Sequence, residues 1–203
     1  MACVLQDERG QLTWSTQMKH GIRISLLAAA LVAGTALAAP TTGVTSTPPA
    51  SVNKSGVGRA DASFIEQAGA AGLAEVEAGR LALQKGSSEG VKQLANMLID
   101  DHTKANERLN TVAALKNLSP PSEPGEANRK QLARLNGVSG KDFDEEFLKQ
   151  QRAAHQEAIA LFSKQAKSGK DPDLKKFAAD TLPRLQAHLK HVEALQGGKH
   201  AGQ

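Results

Sequence analysis

The chain has 203 residues and a formal net charge of +4, and its basic residues are spread along its length instead of gathered in one segment. It has one cysteine, Cys3, few aromatic residues and no tyrosine. These features exclude a disulfide-stabilised fold and a nucleic-acid groove, because such a groove needs a concentrated basic stripe, usually with stacking aromatic side chains.

The amino-terminal segment has the order of a secretory signal peptide. Residues 18–38 begin with a short basic stretch at Met18 and continue into an apolar run. Small residues at Ala36 and Ala38 suit a signal peptidase, so we predict cleavage after Ala38. Residues 1–17 contain several charged and polar residues, which are atypical of a signal, and we interpret them as an over-extended start upstream of the true first residue.

A membrane anchor is the alternative to a cleaved signal. The apolar run has about sixteen residues diluted by Gly, Ser and Thr, whereas a helix needs about twenty apolar residues to span a bilayer. The cleaved signal is therefore favoured, and the mature protein is predicted to lack a membrane span and to be periplasmic or secreted. Cleavage also removes Cys3 and Trp14, which leaves a cysteine-free protein.

Low-complexity segments flank the predicted folded domain. Residues 39–60 are rich in Thr, Ser, Pro and Gly without an apolar period, and we predict that they form a flexible linker. Residues 197–203 are predicted to form a disordered tail. Between them, residues 61–196 have the length of one domain with a single hydrophobic core.

Start and stop signals predict a first helical hairpin. Helix A begins at the capping-box pattern of Ser63 and Glu66 and ends at Gly86. Helix B begins after the serine pair at 87–88 and runs to about Asn117, shortly before two prolines. The short turn between them forces the two helices to be antiparallel neighbours.

A second hairpin is predicted from similar signals. Helix C opens at Ser139 and ends near Gly169. Asp171 caps helix D, and Pro172 occupies its first position, where the missing N–H group is harmless. Pro183 lies inside helix D and is predicted to kink it, because proline removes one helical hydrogen bond.

The connection between helices B and C decides the topology of the bundle. Residues 118–140 contain three prolines and a short helical pattern near residues 128–135. An extended connection of this length is able to cross a helix of about 38 Å. The sequence therefore predicts an all-α fold, a four-helix bundle made of two hairpins, with either a ferritin-type crossover or a plain up-and-down order.

One polar residue interrupts the apolar stripe of each long helix. These residues are Glu75, His102, His155 and His188. They lie at similar distances from the two hairpin turns, so all four are predicted to meet near the middle of the bundle. Three imidazoles and one carboxylate form a complete set of ligands for one divalent transition metal ion, with Zn, Cu, Fe and Mn all compatible.

A structural role is the alternative for these residues. Glu75 with His102, and His155 with His188, also suit two buried hydrogen-bonded pairs that fix the register of the bundle. His191 follows His188 on nearly the same helix face, so it is a weaker candidate ligand that also suits a half-exposed position near the helix end.

Acidic residues near these positions are interpreted as parts of solvated helix faces. Asp100 and Asp101 precede His102, but their side chains point about 100 to 200° around the helix from it. The acidic run at residues 144–146 is interpreted in the same way. None of these carboxylates is predicted to contribute to the site.

Four short blocks of the sequence resemble one known family in their order and spacing. The blocks are residues 75–82, 97–102, 143–147 and 182–189. They resemble the bacterial domain-of-unknown-function family numbered 4142, whose members are mostly exported or outer-membrane-associated and are placed in the ferritin-like superfamily. The resemblance covers residues 61–195 and implies a ferritin-like four-helix bundle. By position it singles out Glu75, His102, His155 and His188.

The resemblance does not imply an iron oxidase. Ferritin-like di-iron sites take Glu from two helices and a Glu-x-x-His motif from each of the other two. Here Ile99 and Leu185 occupy the positions three residues before His102 and His188. The carboxylates that hold two iron ions are therefore missing, and fold analogy does not supply an activity.

Three functional hypotheses remain open from the sequence. The leading one is a non-enzymatic exported bundle with a mid-bundle metal site, in metal handling or the envelope stress response. The second is a structural or protein-interaction module of the cell envelope without a metal. The third is a mononuclear metalloenzyme. No feature of the sequence identifies a catalytic nucleophile, a protein partner or an oligomeric state.

Overall fold

The computed structural model describes residues 56–198, which form five α-helices. The predicted signal peptide and most of the predicted linker and tail lie outside the described residues. Within that range no helix combines the length and the apolar character that a membrane crossing requires. The helices are α1 (Arg59–Lys85), α2 (Glu89–Ala114), α3 (Glu126–Asn136), α4 (Gly140–Ser168) and α5 (Pro172–Gly198).

Side-chain caps mark the starts of α2 and α5. The Ser88 side chain accepts a hydrogen bond from the Val91 backbone N–H at 3.2 Å and caps α2. Asp171 Oδ1 accepts from the backbone N–H groups of Asp173 and Leu174, at 3.1 and 3.0 Å, and caps α5. Pro172 is the first residue of α5, as predicted.

The start of α1 differs from the prediction. The helix begins at Arg59 after Gly58, so Ser63 is an internal residue and does not cap it. Instead, the Ser63 hydroxyl accepts a hydrogen bond from the Gln67 side chain at 2.8 Å. Asp61, in the first turn, favours the earlier start because a carboxylate there interacts well with the helix dipole.

The contacts between helix ends define the topology. Asp61, at the start of α1, accepts hydrogen bonds from Gln165 in the last turn of α4 and from Lys170 just after it. Asp144, at the start of α4, contacts Ser87 at the end of α1. Helices α1 and α4 are therefore antiparallel, so α2 and α4 run in the same direction. This arrangement is the ferritin-type crossover, and the plain up-and-down order is excluded.

The crossover lies over α1 and carries α3. Pro120 passes so close to α1 that a Cβ atom on Gly69 would lie 3.0 Å from the Cβ atom of Pro120. The Asn128 side chain of α3 then donates to the backbone carbonyl of Ala70 at 3.3 Å. Leu135, also from α3, is buried. The short helix predicted near residues 128–135 is therefore present, and it packs against α1 and α4.

The hydrophobic core has two parts, one toward each end of the bundle. One contains Phe64 and Phe162, with ring centroids 5.1 Å apart, and the other contains Phe143 and Phe147, at 5.8 Å. In each of the four long helices the predicted polar residue lies between the positions that supply the two parts. The polar interior is therefore a layer across the middle of the bundle.

Asp144 is buried, and its prediction as part of a solvated face was wrong. Its side chain accepts hydrogen bonds from the Ser87 and Ser88 backbone N–H groups at 3.0 and 2.9 Å, and from the Ser87 hydroxyl at 2.6 Å. The N–H groups that precede α2 have no partner inside that helix, so a carboxylate from α4 satisfies them and also interacts with the α2 dipole.

Replacement of Asp144 by alanine is expected to lower the free energy of unfolding by about 1–3 kcal/mol, because it leaves the partly buried donors of Ser87 and Ser88 without their acceptor. Asp144→Asn keeps one acceptor and is expected to have an intermediate effect. Glu145→Ala, on the exposed neighbour, is the control and should change stability by less than about 0.5 kcal/mol. Guanidinium denaturation measures all three; an Asp144→Ala variant as stable as the control would contradict the assignment.

Candidate metal centre

Three histidines from three helices meet in the middle layer. His102 of α2, His155 of α4 and His188 of α5 are buried, and each offers a nitrogen within 4.8 Å of those of the other two. Their ring centroids are 5.3 to 5.7 Å apart. The convergence of these three predicted positions gives a cluster that is able to hold a metal ion; we call it the histidine triad.

Hydrogen bonds fix the tautomers of two of these histidines. His155 Nδ1 lies 2.9 Å from the backbone carbonyl of Gln151, and a carbonyl only accepts, so Nδ1 carries the proton and Nε2 has a free lone pair. His188 Nε2 lies 2.8 Å from Asp101 Oδ2 and donates to this carboxylate. The free lone pair of His188 is therefore on Nδ1.

The two free lone pairs face each other. His155 Nε2 and His188 Nδ1 are 3.3 Å apart, yet neither carries the proton that a hydrogen bond between neutral rings requires. Two acceptors in this position repel unless a proton or a metal cation lies between them. In a tetrahedral site, two nitrogens each about 2.0–2.1 Å from the ion are about 3.3 Å apart, which agrees with the observed separation.

Asp101 orients His188, and its prediction as part of a solvated face was wrong. Its side chain is 15% exposed and also lies 3.5 Å from Arg184 Nε. A carboxylate that holds the far nitrogen of a histidine fixes the ring and raises the basicity of the near nitrogen. Asp100, by contrast, is exposed as predicted and pairs with Lys104 at 2.6 Å.

His102 is the least satisfied member of the triad. Burial lowers its pKa well below the ordinary value of 6.5, and positive charge on His155 or His188 would lower it further. Among residues 56–198 no group forms a hydrogen bond with its buried Nε2 atom. Burial also lowers the pKa of His188, although the hydrogen bond to Asp101 opposes that shift. These rings favour the neutral form, which is the form that binds a metal ion.

Glu75 and His191 lie outside the triad, so their metal ligation stays a prediction. Glu75 is buried, and burial raises the pKa of its carboxyl, opposed by the nearby His155 ring and the Gln151 amide. Glu75 Oε2 and His102 Nε2 both lack a hydrogen-bond partner in the described part of the chain. The alternative pairing of Glu75 with His102 is therefore not made through these two atoms. His191 is half-buried.

A cavity of about 380 Å³ adjoins the triad and is lined by residues of all five helices. Glu75, His102 and His155 lie on its wall together with Gln151, whose buried Oε1 atom also has no hydrogen-bond partner within the described residues. Gln151 lies four residues after Phe147 and four before His155, so helical periodicity placed it on the apolar face of α4. It was overlooked because glutamine is most often a surface residue.

The metal-free protein is expected to lose stability as the pH falls below about 6.5. Unfolded imidazole takes up a proton near pH 6.5, whereas folded His102 and His188 do so at lower pH, so the unfolded state binds more protons in this window. Glu75 has the opposite sign, because the folded carboxyl keeps its proton above pH 4.5.

Denaturation at pH 7.5 and pH 5.5 in the presence of a metal chelator tests this expectation. The Glu75→Gln variant removes the opposing contribution and should show the steeper loss. A metal-free protein that is equally stable at both pH values in this variant would contradict the assignment of neutral, buried imidazoles.

Fold and site together define the class of the protein: a ferritin-like four-helix bundle with a buried cluster of three histidines in its middle layer. The chain belongs to the family described as domain of unknown function DUF4142, whose model matches residues 46–195. This finding confirms the resemblance seen in the sequence blocks. No curated protein matches the chain.

Solved structures share the fold. CopM in the Cu(II)-bound form has a TM-score of 0.59 and 22% identity, over 68% of this chain and 96% of that chain. CopM in the Cu(I)-bound form has a TM-score of 0.58 and 23% identity over the same shares. A DUF305 fragment from Deinococcus radiodurans has a TM-score of 0.62 and 12% identity, over 70% of this chain and 97% of that chain.

Proposed function

We propose that the protein is an exported helical bundle that binds one transition metal ion, with copper preferred, through His102, His155 and His188. The observation that carries the proposal is the 3.3 Å distance between His155 Nε2 and His188 Nδ1, two nitrogens that each present a lone pair to the other. Hydrogen bonds to the other nitrogen of each ring hold both histidines in these tautomers. A bound cation turns this repulsion into a stabilising interaction.

The ligand chemistry supports copper. Imidazole suits Zn, Cu, Fe and Ni, and among divalent first-row ions Cu²⁺ forms the most stable complexes with such ligands. Structures of the same fold were solved as CopM in Cu(II)-bound, Cu(I)-bound and Ag-bound forms. A metal site in an exported protein supports a role in metal handling outside the cytoplasm, where metals are less tightly controlled. A role in the envelope stress response belongs to the same proposal.

The predicted export signal is tested by the mature amino terminus. Protein recovered from the periplasm of a bacterium that expresses the gene from Met18 is expected to begin at Ala39, because cleavage follows the small residues at Ala36 and Ala38. Intact-mass measurement and amino-terminal sequencing both detect this. A recovered protein that retains residues 18–38 would favour the membrane anchor instead.

Elemental analysis tests the metal site. The mature protein, purified from the periplasm of copper-supplemented cells, is expected to hold about one copper ion per chain, and the His102→Ala/His188→Ala double variant to hold none. His191→Ala is the matched control, because it removes an imidazole one turn away on α5 and should keep the metal. If wild type and double variant both lack stoichiometric metal and melt alike, the proposal fails.

A further inference from the structure

The cavity beside the triad reaches only part of it. His102 and His155 lie on the cavity wall, whereas His188, on the far side of the triad, is absent from it. The wall between these polar groups is formed largely by alanines of α1 and α4, such as Ala71 and Ala154. The cavity therefore reaches the triad from the side of His102 and His155, past several small side chains.

The cavity has a charge character opposite to that of the whole chain. The protein carries a net charge of +4, yet no Lys or Arg is among the described residues that line the cavity. Two carboxylates line it, Glu75 and Glu157, and the other polar residues are mostly amides. These amides are Gln67, Asn106, Asn128, Gln131, Gln150 and Gln151. Two carboxyl groups without a neighbouring Lys or Arg on the wall favour the approach of a cation.

Three residues of the same wall each carry a buried polar atom without a partner. Glu75 Oε2, Gln151 Oε1 and His102 Nε2 are buried and lack hydrogen-bond partners in the described part of the protein. Their residues are 8%, 2% and 9% exposed. Buried polar atoms without partners are costly, and carboxylate oxygen, amide oxygen and imidazole nitrogen are all ligands for metal cations.

We propose that this cavity is the path by which the metal ion reaches the triad, with Glu75 and Gln151 as transient oxygen ligands on the way. This inference rests on the proposed metal-binding function and adds the route of loading and release. The arriving hydrated ion exchanges water for the oxygens of Glu75 and Gln151, and these are then exchanged for imidazole nitrogens. Oxygen ligands hold copper less tightly than imidazoles, so the ion passes inward.

Loading kinetics test the path. Metal-free mature protein is mixed with Cu(II) in a stopped-flow instrument, and the visible absorption of the imidazole-bound ion gives the loading rate. Glu75→Gln, which removes the charge but keeps the shape, is expected to slow loading about tenfold or more and to leave the equilibrium affinity within about threefold. Release to an external chelator should slow by a similar factor, because the ion leaves by the same route.

Glu77→Gln is the matched control. It removes one negative charge from the same helix at an exposed position that does not line the cavity, and its loading rate should equal that of wild type. If Glu75→Gln loads at the wild-type rate, the path is wrong while the metal site stands. If Glu75→Gln loses affinity without a change in loading rate, Glu75 is a final ligand and the path is also wrong. No uptake by wild type would overturn both proposals.

A steric variant tests the same path without a change in charge. Ala154→Leu places a larger side chain in the cavity, whereas Ala153→Leu makes the same change at the adjacent, exposed position. Ala154→Leu is expected to slow loading and release severalfold, with the affinity unchanged, and Ala153→Leu to have no effect. Equal rates for the two variants would count against the cavity as the route.

Discussion

Replacement of His155 by alanine is expected to weaken Cu(II) binding by about a hundredfold or more, because it removes one ligand and the lone pair that faces His188. The same loss is expected for His188→Ala. Titration against a chelator of known copper affinity measures both. His191→Ala is the control and should bind copper within about twofold of wild type, since its half-buried ring lies outside the triad.

Asp101 positions His188, so its replacement is also expected to weaken copper binding. Asp101→Ala leaves the ring without its partner on Nε2 and is expected to weaken copper binding about 10- to 100-fold. Asp100→Ala, one position earlier and exposed, should not change the affinity. Copper binding that survives the loss of His155 and of Asp101 without change would place the ion elsewhere in the protein.

Replacement of His102 by leucine is expected to stabilise the metal-free protein while removing its response to metal. The buried, unpartnered Nε2 of His102 costs stability in the absence of a cation, so an apolar side chain of similar size should raise the free energy of unfolding by about 1–2 kcal/mol. Functional residues are often suboptimal for stability in this way.

Thermal denaturation with and without Cu(II) measures both effects. Wild type at a copper concentration about a thousand times its Kd should gain about 4 kcal/mol, whereas His102→Leu should gain far less. A His102→Leu variant that is less stable than wild type without metal would show that His102 is a structural packing residue, in agreement with the hydrogen-bonded-pair alternative.

The fold was largely predictable because its determinants are local. Ser88 and Asp171 act on N–H groups three residues away or fewer, so their caps are readable from short patterns. The length of the segment between α2 and α4 permitted the crossover but did not require it. Contacts between helix ends that are distant in sequence favour the crossover over the up-and-down order, such as those of Asp61 with residues of the turn before α5.

The site was predictable only in part, for a similar reason. The phase of the apolar stripes placed His102, His155 and His188 in the interior, because that phase depends on each helix alone. Asp101 and Asp144 were predicted to be solvated, because they lie beside the core face of their own helices. In the bundle such positions lie at the seams between helices, where their partners are 87 and 57 residues away in the sequence.

Glu75 shows what cannot be predicted from the helix face of a residue and its distance from the hairpin turn. Its burial was expected, and the structure buries it, but Glu75 lines the cavity together with Gln151 and His102 and is not a member of the triad. Helix phase does not report where a cavity opens, since a cavity depends on the side-chain volumes of several helices together. Small residues on α1 and α4 left this space open.

A crystal structure of the copper-loaded mature protein, with anomalous diffraction measured at the copper edge, tests the central claim most directly. The proposed site predicts one anomalous peak about 2.0–2.1 Å from His155 Nε2 and from His188 Nδ1, with a nitrogen of His102 completing the set. A copper peak elsewhere in the protein, or a triad that stays metal-free at saturating copper, would contradict it.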